Sequence, residues 1–218
     1  MSPTVIVPAV LTAAVALTNW WAVATGRLRV EWWTKLLTMV ALVATALAAG
    51  ASGSGSGRWL LVALACGLLG DLALLGETRR RFLAGVAAFL AGHLAYLVCF
   101  ARIGLPWPAY AWLGVLALAV VLVATRRVVP AAWRVVGAGV AVPLAAYSLV
   151  IGAMLLAAWA TGDLLVALGA TVFVVSDAVI ALTLARHDFE RPRGADHVAV
   201  MVTYHLGQAL IVVGVLGS

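Results

Sequence analysis

Apolar runs long enough to cross a membrane follow one another along the chain, and no other feature limits its folding so tightly. The runs cover 4–25, 35–51, 58–76, 82–101, 108–125, 135–159, 163–186 and 196–217. About twenty apolar residues span a bilayer as a helix, and a backbone in hydrocarbon must satisfy its own N–H and C=O groups. Of the 218 residues, 65% are hydrophobic and 10% charged, where a soluble chain has roughly 25% charged. Mean hydropathy is +1.13. A soluble domain, a disordered chain and a nucleic-acid binder are therefore excluded. The net charge of +6 sits in short segments between apolar runs and indicates no nucleic-acid partner. The expected fold is all-α: one polytopic integral membrane domain over residues 1–218, with eight transmembrane helices. The first run lacks a basic flank and is read as a retained helix. The second is short and ends in SGSGSG (52–57), by composition a flexible linker. Pro143 is expected to kink the sixth.

Charge sets the orientation. Segments after the odd-numbered helices hold Arg27, Arg29, Lys35, Arg79, Arg80, Arg81, Arg126, Arg127, Arg134, Arg186, Arg191 and Arg193, whereas those after the even-numbered helices hold Arg58 and Arg102. Basic residues favour the cytoplasmic side, so both termini are expected to be extracytoplasmic. Trp20, Trp21, Trp32, Trp33 and Trp133 fall near the cytoplasmic ends, and Trp59, Trp107, Trp112 and Trp159 near the outer ends, as interfacial belts require.

Ionisable groups inside a membrane are costly and usually face an interior. Asp71 lies eight residues before Arg79, Asp177 nine before Arg186, and Asn19 eight before Arg27; Tyr204 and His205 lie eight and nine after Asp196. At 1.5 Å per residue, eight residues is about 12 Å. These side chains therefore share one depth in the cytoplasmic half, with His93 and Gln208 about a turn deeper. Tyr204 and Gln208, four apart, share a helix face and are expected to point inward, with His205 flanking. The outer half holds only Tyr147 and Ser148, which disfavours a path through the membrane. No basic residue lies deep in an expected helix, which disfavours a purely structural role for the aspartates. His187, His197, Asp188, Glu190, Asp196, Glu31 and Glu77 are expected to be solvated, and Asp163 to suit a helix N-terminus. Cys66 and Cys99 read as apolar fillers. The stretch GDLALL, a basic loop and FLAGHLAY (70–96) is weakly echoed by SDAVIAL, a basic loop and TYHLGQAL (176–210), which fits either a four-helix duplication or the chance resemblance of short apolar helices.

GDLALL (70–75), FLAGHLAY (89–96), SDAVIA (176–181) and YHLGQALI (204–211), with Lys35 in WWTKLLTM, resemble the YhhN-type membrane proteins, the lysoplasmalogenase family. Leu36 stands where that family has proline. The resemblance implies hydrolysis of the vinyl-ether bond of lysoplasmalogens to a fatty aldehyde and glycerophospho-ethanolamine or -choline. It carries over Asp71, Asp177, Tyr204, Gln208, His93 and Lys35 as functional candidates, to which shared depth adds Asn19. Vinyl-ether hydrolysis needs a proton delivered to carbon and a group that steadies an oxocarbenium ion. Two buried carboxyl groups can divide these tasks; which of Asp71 and Asp177 is the acid stays open. Tyr204 and Gln208 would position water or the glycerol hydroxyl, and Lys35 or a loop arginine the phosphate. No metal or other cofactor is expected, although Asp71, His93, Asp177 and His205 are a conceivable zinc set. The expected partner is a membrane lysophospholipid, and the expected setting a bacterial inner membrane with the site toward the cytoplasm. Oligomeric state is open. A proton-coupled transporter using the same aspartates is the alternative.

Overall fold

The computed structural model describes residues 3–76, 78–186 and 194–218. His187, Asp188, Glu190, Arg191, Arg193 and Glu77 lie outside the described residues. Helices α1 (Pro3–Ala24), α2 (Leu28–Ala48), α3 (Gly55–Leu74), α4 (Arg79–Ile103), α5 (Trp112–Thr125), α6 (Val128–Val135), α7 (Ala138–Ala160), α8 (Leu164–Arg186) and α9 (Gly194–Gly217) succeed one another with no strand among the described residues. With Ala109–Val135 counted as one, eight described segments are long and apolar enough to cross a membrane. Large apolar side chains such as Leu149, Val123 and Trp33 face outward. That surface suits lipid, which matches it chemically.

Lipid supplies no hydrophobic drive between helices, so close backbone approach does the packing. α3 pairs most extensively with α4, and α8 with α9. A Cβ on Gly207 would lie 2.8 Å from Phe173 N and 2.9 Å from Gly169 O, so α8 and α9 touch backbone to backbone. α9 is the most enclosed span and Ala109–Val135 the least. Cys66 and Cys99 are free thiols.

Several boundaries differ from expectation. α2 begins at Leu28 rather than 35, because Gly26 at φ +67° turns the chain at once and Glu31 suits the helix N-terminus. Glu31 is buried, and its Oε1 lies 3.2 Å from Nε2 of His197. These two residues were expected in solvated loops; they instead join α2 to α9. The SGSGSG stretch is ordered: Ala51–Gly53 is a 3₁₀ turn, and Ser54 caps α3 by accepting from Gly57 N at 2.9 Å. Helix α6 was not expected. It packs Val128, Ala131 and Ala132 inward against α7 and α8 and leaves Trp133 and Arg134 exposed. α7 runs on through Pro143 near its start. Trp159, expected in the outer belt, is buried and donates to Thr171 Oγ1 at 3.1 Å. Asp163 accepts from Val166 N at 2.9 Å, as a cap on α8 does.

Candidate functional site

Small residues set the two aspartates. Gly70 sits beneath Phe89, whose ring a Cβ there would meet at 2.6 Å, so α4 comes close to α3 right beside Asp71. Ser176 is buried and donates to Val200 O at 3.1 Å, which fixes α8 against α9 one residue before Asp177. Both aspartates line one cavity of about 270 Å³, with Lys35, Tyr147 and Tyr204 in its polar wall. The rest of that wall is mostly apolar: Phe82, Val86 and Phe89 from α4, and Leu118, Val121 and Leu122 from α5. Arg126 also belongs to the lining and is exposed, so the cavity reaches the surface beside it.

Each aspartate has its own partners. Lys35 Nζ lies 2.9 Å from Asp71 Oδ1, and the Tyr204 hydroxyl donates to Asp71 Oδ2 at 2.9 Å. Lys35 was read as an interfacial residue at the start of its helix. With α2 starting at Leu28 it lies within the span, so the chain does place a cation opposite a membrane aspartate. On the other side, the Tyr147 hydroxyl donates to Asp177 Oδ2 at 2.5 Å. His93 Nδ1 donates to the Phe89 carbonyl at 2.5 Å, since a carbonyl only accepts. Its Nε2, left with a lone pair, stands 3.7 Å from Asp177 Oδ2. Phe173 links the two sides: its ring stacks on His93 at 5.1 Å and lies 5.5 Å from Tyr204.

Gln208 is buried and its side-chain carbonyl accepts from the Tyr96 hydroxyl. His93, Gln208 and Asn19 are absent from the cavity lining. Asn19 ties α1 to α2, donating to Glu31 O and Thr34 Oγ1 at 3.0 Å each. His205 turns to α1, where its Nδ1 accepts from Trp20 Nε1 at 3.1 Å. Among the described residues no three His, Cys, Asp or Glu side chains converge on a metal position.

Tyr147 is the residue that sequence counting misplaced. It was put in the outer half, yet it meets Asp177. The missed signal was its distance from the start of its own helix: nine residues after Ala138, where α7 begins, matching the nine from Asp177 to Arg186, where α8 ends.

The geometry is thus a largely apolar chamber inside a helix bundle, with two carboxyl groups on its wall. The YhhN family matches residues 30–215. The lysoplasmalogenase TMEM86B of Sus scrofa is 35% identical over 184 residues, which cover 84% of this chain and 74% of that protein. No solved structure matches. Because the family match extends from the first turn of α2 into the last turn of α9, and so includes every wall of the cavity, the chain belongs to the YhhN family.

Proposed function

We propose that this protein is a membrane lipid hydrolase that cleaves the vinyl-ether bond of lysoplasmalogens, giving a fatty aldehyde and glycerophospho-ethanolamine or -choline. The carrying observation is two aspartates on one largely apolar cavity in a chain similar to a protein named lysoplasmalogenase. The vinyl ether of a membrane lipid lies just beneath its headgroup, at the depth of this polar layer. The apolar faces of α4 and α5 give the alkenyl chain a sleeve that excludes water. Lys35 is engaged by Asp71, so Arg126 is the cavity cation left for the phosphate among the described residues, and arginine suits phosphate well.

In the reaction one carboxyl group gives its proton to the outer carbon of the double bond. The π electrons form the new C–H bond, and an oxocarbenium ion results. Water adds to the inner carbon and gives a proton to the other carboxylate. The hemiacetal then breaks its bond to the glycerol oxygen. That oxygen takes the proton back from the second carboxyl, and the hemiacetal O–H returns one to the first. Both groups end as they began. The site opens toward the cytoplasmic side of a bacterial inner membrane, and both termini lie outside, in keeping with the twelve-to-two distribution of basic residues.

A substrate panel tests the reading. Purified protein in detergent is given 1-alkenyl, 1-alkyl and 1-acyl lysophospholipids of one chain length. Aldehyde release from the alkenyl lipid alone is expected. Hydrolysis of the acyl lipid with no aldehyde from the alkenyl lipid would overturn it.

A further inference from the structure

Tyr96 and Gln208, joined by a hydrogen bond, stand 112 residues apart. His93 and His205 have that same separation, and so do Lys35 and Tyr147. The last pair is informative, because Lys35 holds Asp71 and Tyr147 holds Asp177. The tight α3–α4 pair likewise answers the tight α8–α9 pair. The molecule therefore behaves as two copies of a four-span unit, each setting its aspartate against a side chain from its own preceding span. Tyr96 and Gln208, at matching positions, meet where the copies join.

The copies are not alike at the carboxyl groups. Asp71 has both oxygens taken, Oδ1 by the Lys35 ammonium and Oδ2 by Tyr204. An ammonium and a hydroxyl donor together suit a carboxylate, so Asp71 is held ionised, ready to accept a proton rather than give one. Asp177 has no cation from lysine or arginine beside it among the described residues. Tyr147 and the His93 ring both address Oδ2. Among the described residues nothing donates to Oδ1, and this side chain is 18% exposed where that of Asp71 is 1%. The flanking opening differs too. α1 closes on α9, with Trp20 capping His205, whereas α5 makes no comparable contact with α4 and the cavity occupies that place.

Resting on the vinyl-ether reading above, we infer that Asp177 is the proton donor, that Asp71 paired with Lys35 is the carboxylate that takes the proton from water, and that Tyr147 is the positioning residue that holds Asp177 by Oδ2 with Oδ1 turned to the substrate. The duplication has split one ancestral half-site into a charged half and a neutral half. Tyr147 stands where the charged half has its lysine.

Three readouts on the purified protein test this. Tyr147→Phe removes one hydroxyl; its kcat falls about 10-fold to 10²-fold, within the range of general acid catalysis. Its Kd for the uncleaved 1-alkyl lysophospholipid stays within about threefold, and its solvent isotope effect on kcat rises as proton transfer becomes slower. Tyr147→Lys gives Asp177 the same partner as Asp71 and stops turnover while that Kd holds. In Asp177→Ala, added formate restores turnover in proportion to formic acid, so rescue grows as pH falls; in Asp71→Ala rescue follows the formate anion and stays nearly flat from pH 5 to 7. The opposite pH dependence in the two variants would exchange the roles and overturn the inference. Tyr147 variants that turn over within threefold of wild type, with its isotope effect, would also overturn it if Asp177→Asn is inactive. An Asp177→Asn variant of normal activity would instead remove the aspartate reading itself.

Discussion

Lys35 and Asp71 bring opposite charges 2.9 Å apart into an apolar interior. Removing one partner of such a pair strands the other and costs about 3–5 kcal/mol. Lys35→Met is therefore expected to lower the melting temperature in detergent, and Lys35→Met/Asp71→Asn to recover most of the loss while staying inactive. A double variant that regains turnover would show the pair to be scaffolding only. Arg126 has a different part. Arg126→Ala is expected to raise KM about tenfold, as for loss of one charge-assisted phosphate contact, with kcat within threefold; an unchanged KM would place the phosphate elsewhere. Much of this site was legible in the sequence, because a carboxyl, a phenol or an amide in a membrane run stands out by type. Direction was less legible. Asn19 and His205 share the depth of the aspartates but point to α2 and α1, and depth says nothing about rotation around a helix axis. Tyr147 was visible yet misplaced, since depth depends on which end of a helix the count begins from.

At the scale of elements, the close seam of α8 and α9 is the most sensitive part of the bundle. Gly207→Leu would drive a side chain into the backbone of Phe173 and Gly169, which cannot move aside as a flexible side chain can. A loss of about 1–3 kcal/mol or more follows from overpacking, read as a lower melting temperature, while Gly217→Ala, with open space around its Cβ position, is expected to melt as wild type does. Equal melting temperatures for the two variants would contradict the packing. Eight spans were readable because hydrophobic length alone decides them. The start of α2 was not, since Arg29, Glu31 and Lys35 break the apolar run while leaving the helix intact. Composition marked 52–57 as a linker, yet Ser54 capping and a 3₁₀ turn need only the small residues found there. Helix α6 is too short to register as a span, and its apolar face is buried on α7 and α8 rather than in lipid.

For the whole molecule, the proposed orientation, with the cavity open toward the cytoplasm, follows from the arrangement of basic residues. In a Cys66→Ala/Cys99→Ala background, Ser218→Cys is expected to react with a membrane-impermeant maleimide in intact cells, and Arg80→Cys only after lysis. The reverse pattern would turn the cavity to the outer leaflet. Two diverged copies of a four-span unit explain why both halves carry a small residue before an aspartate and a histidine–leucine after the loop. Among the described residues the flanking spans differ, with α1 packed on α9 and α5 standing clear of α4. The most direct measurement is single-turnover aldehyde formation from 1-alkenyl lysophospholipid by purified wild type, Asp71→Asn and Asp177→Asn. Both variants should bind the lipid and form aldehyde at least about 10²-fold more slowly, as expected when a general acid or base is removed; either one keeping pace with wild type within threefold would contradict catalysis by the pair.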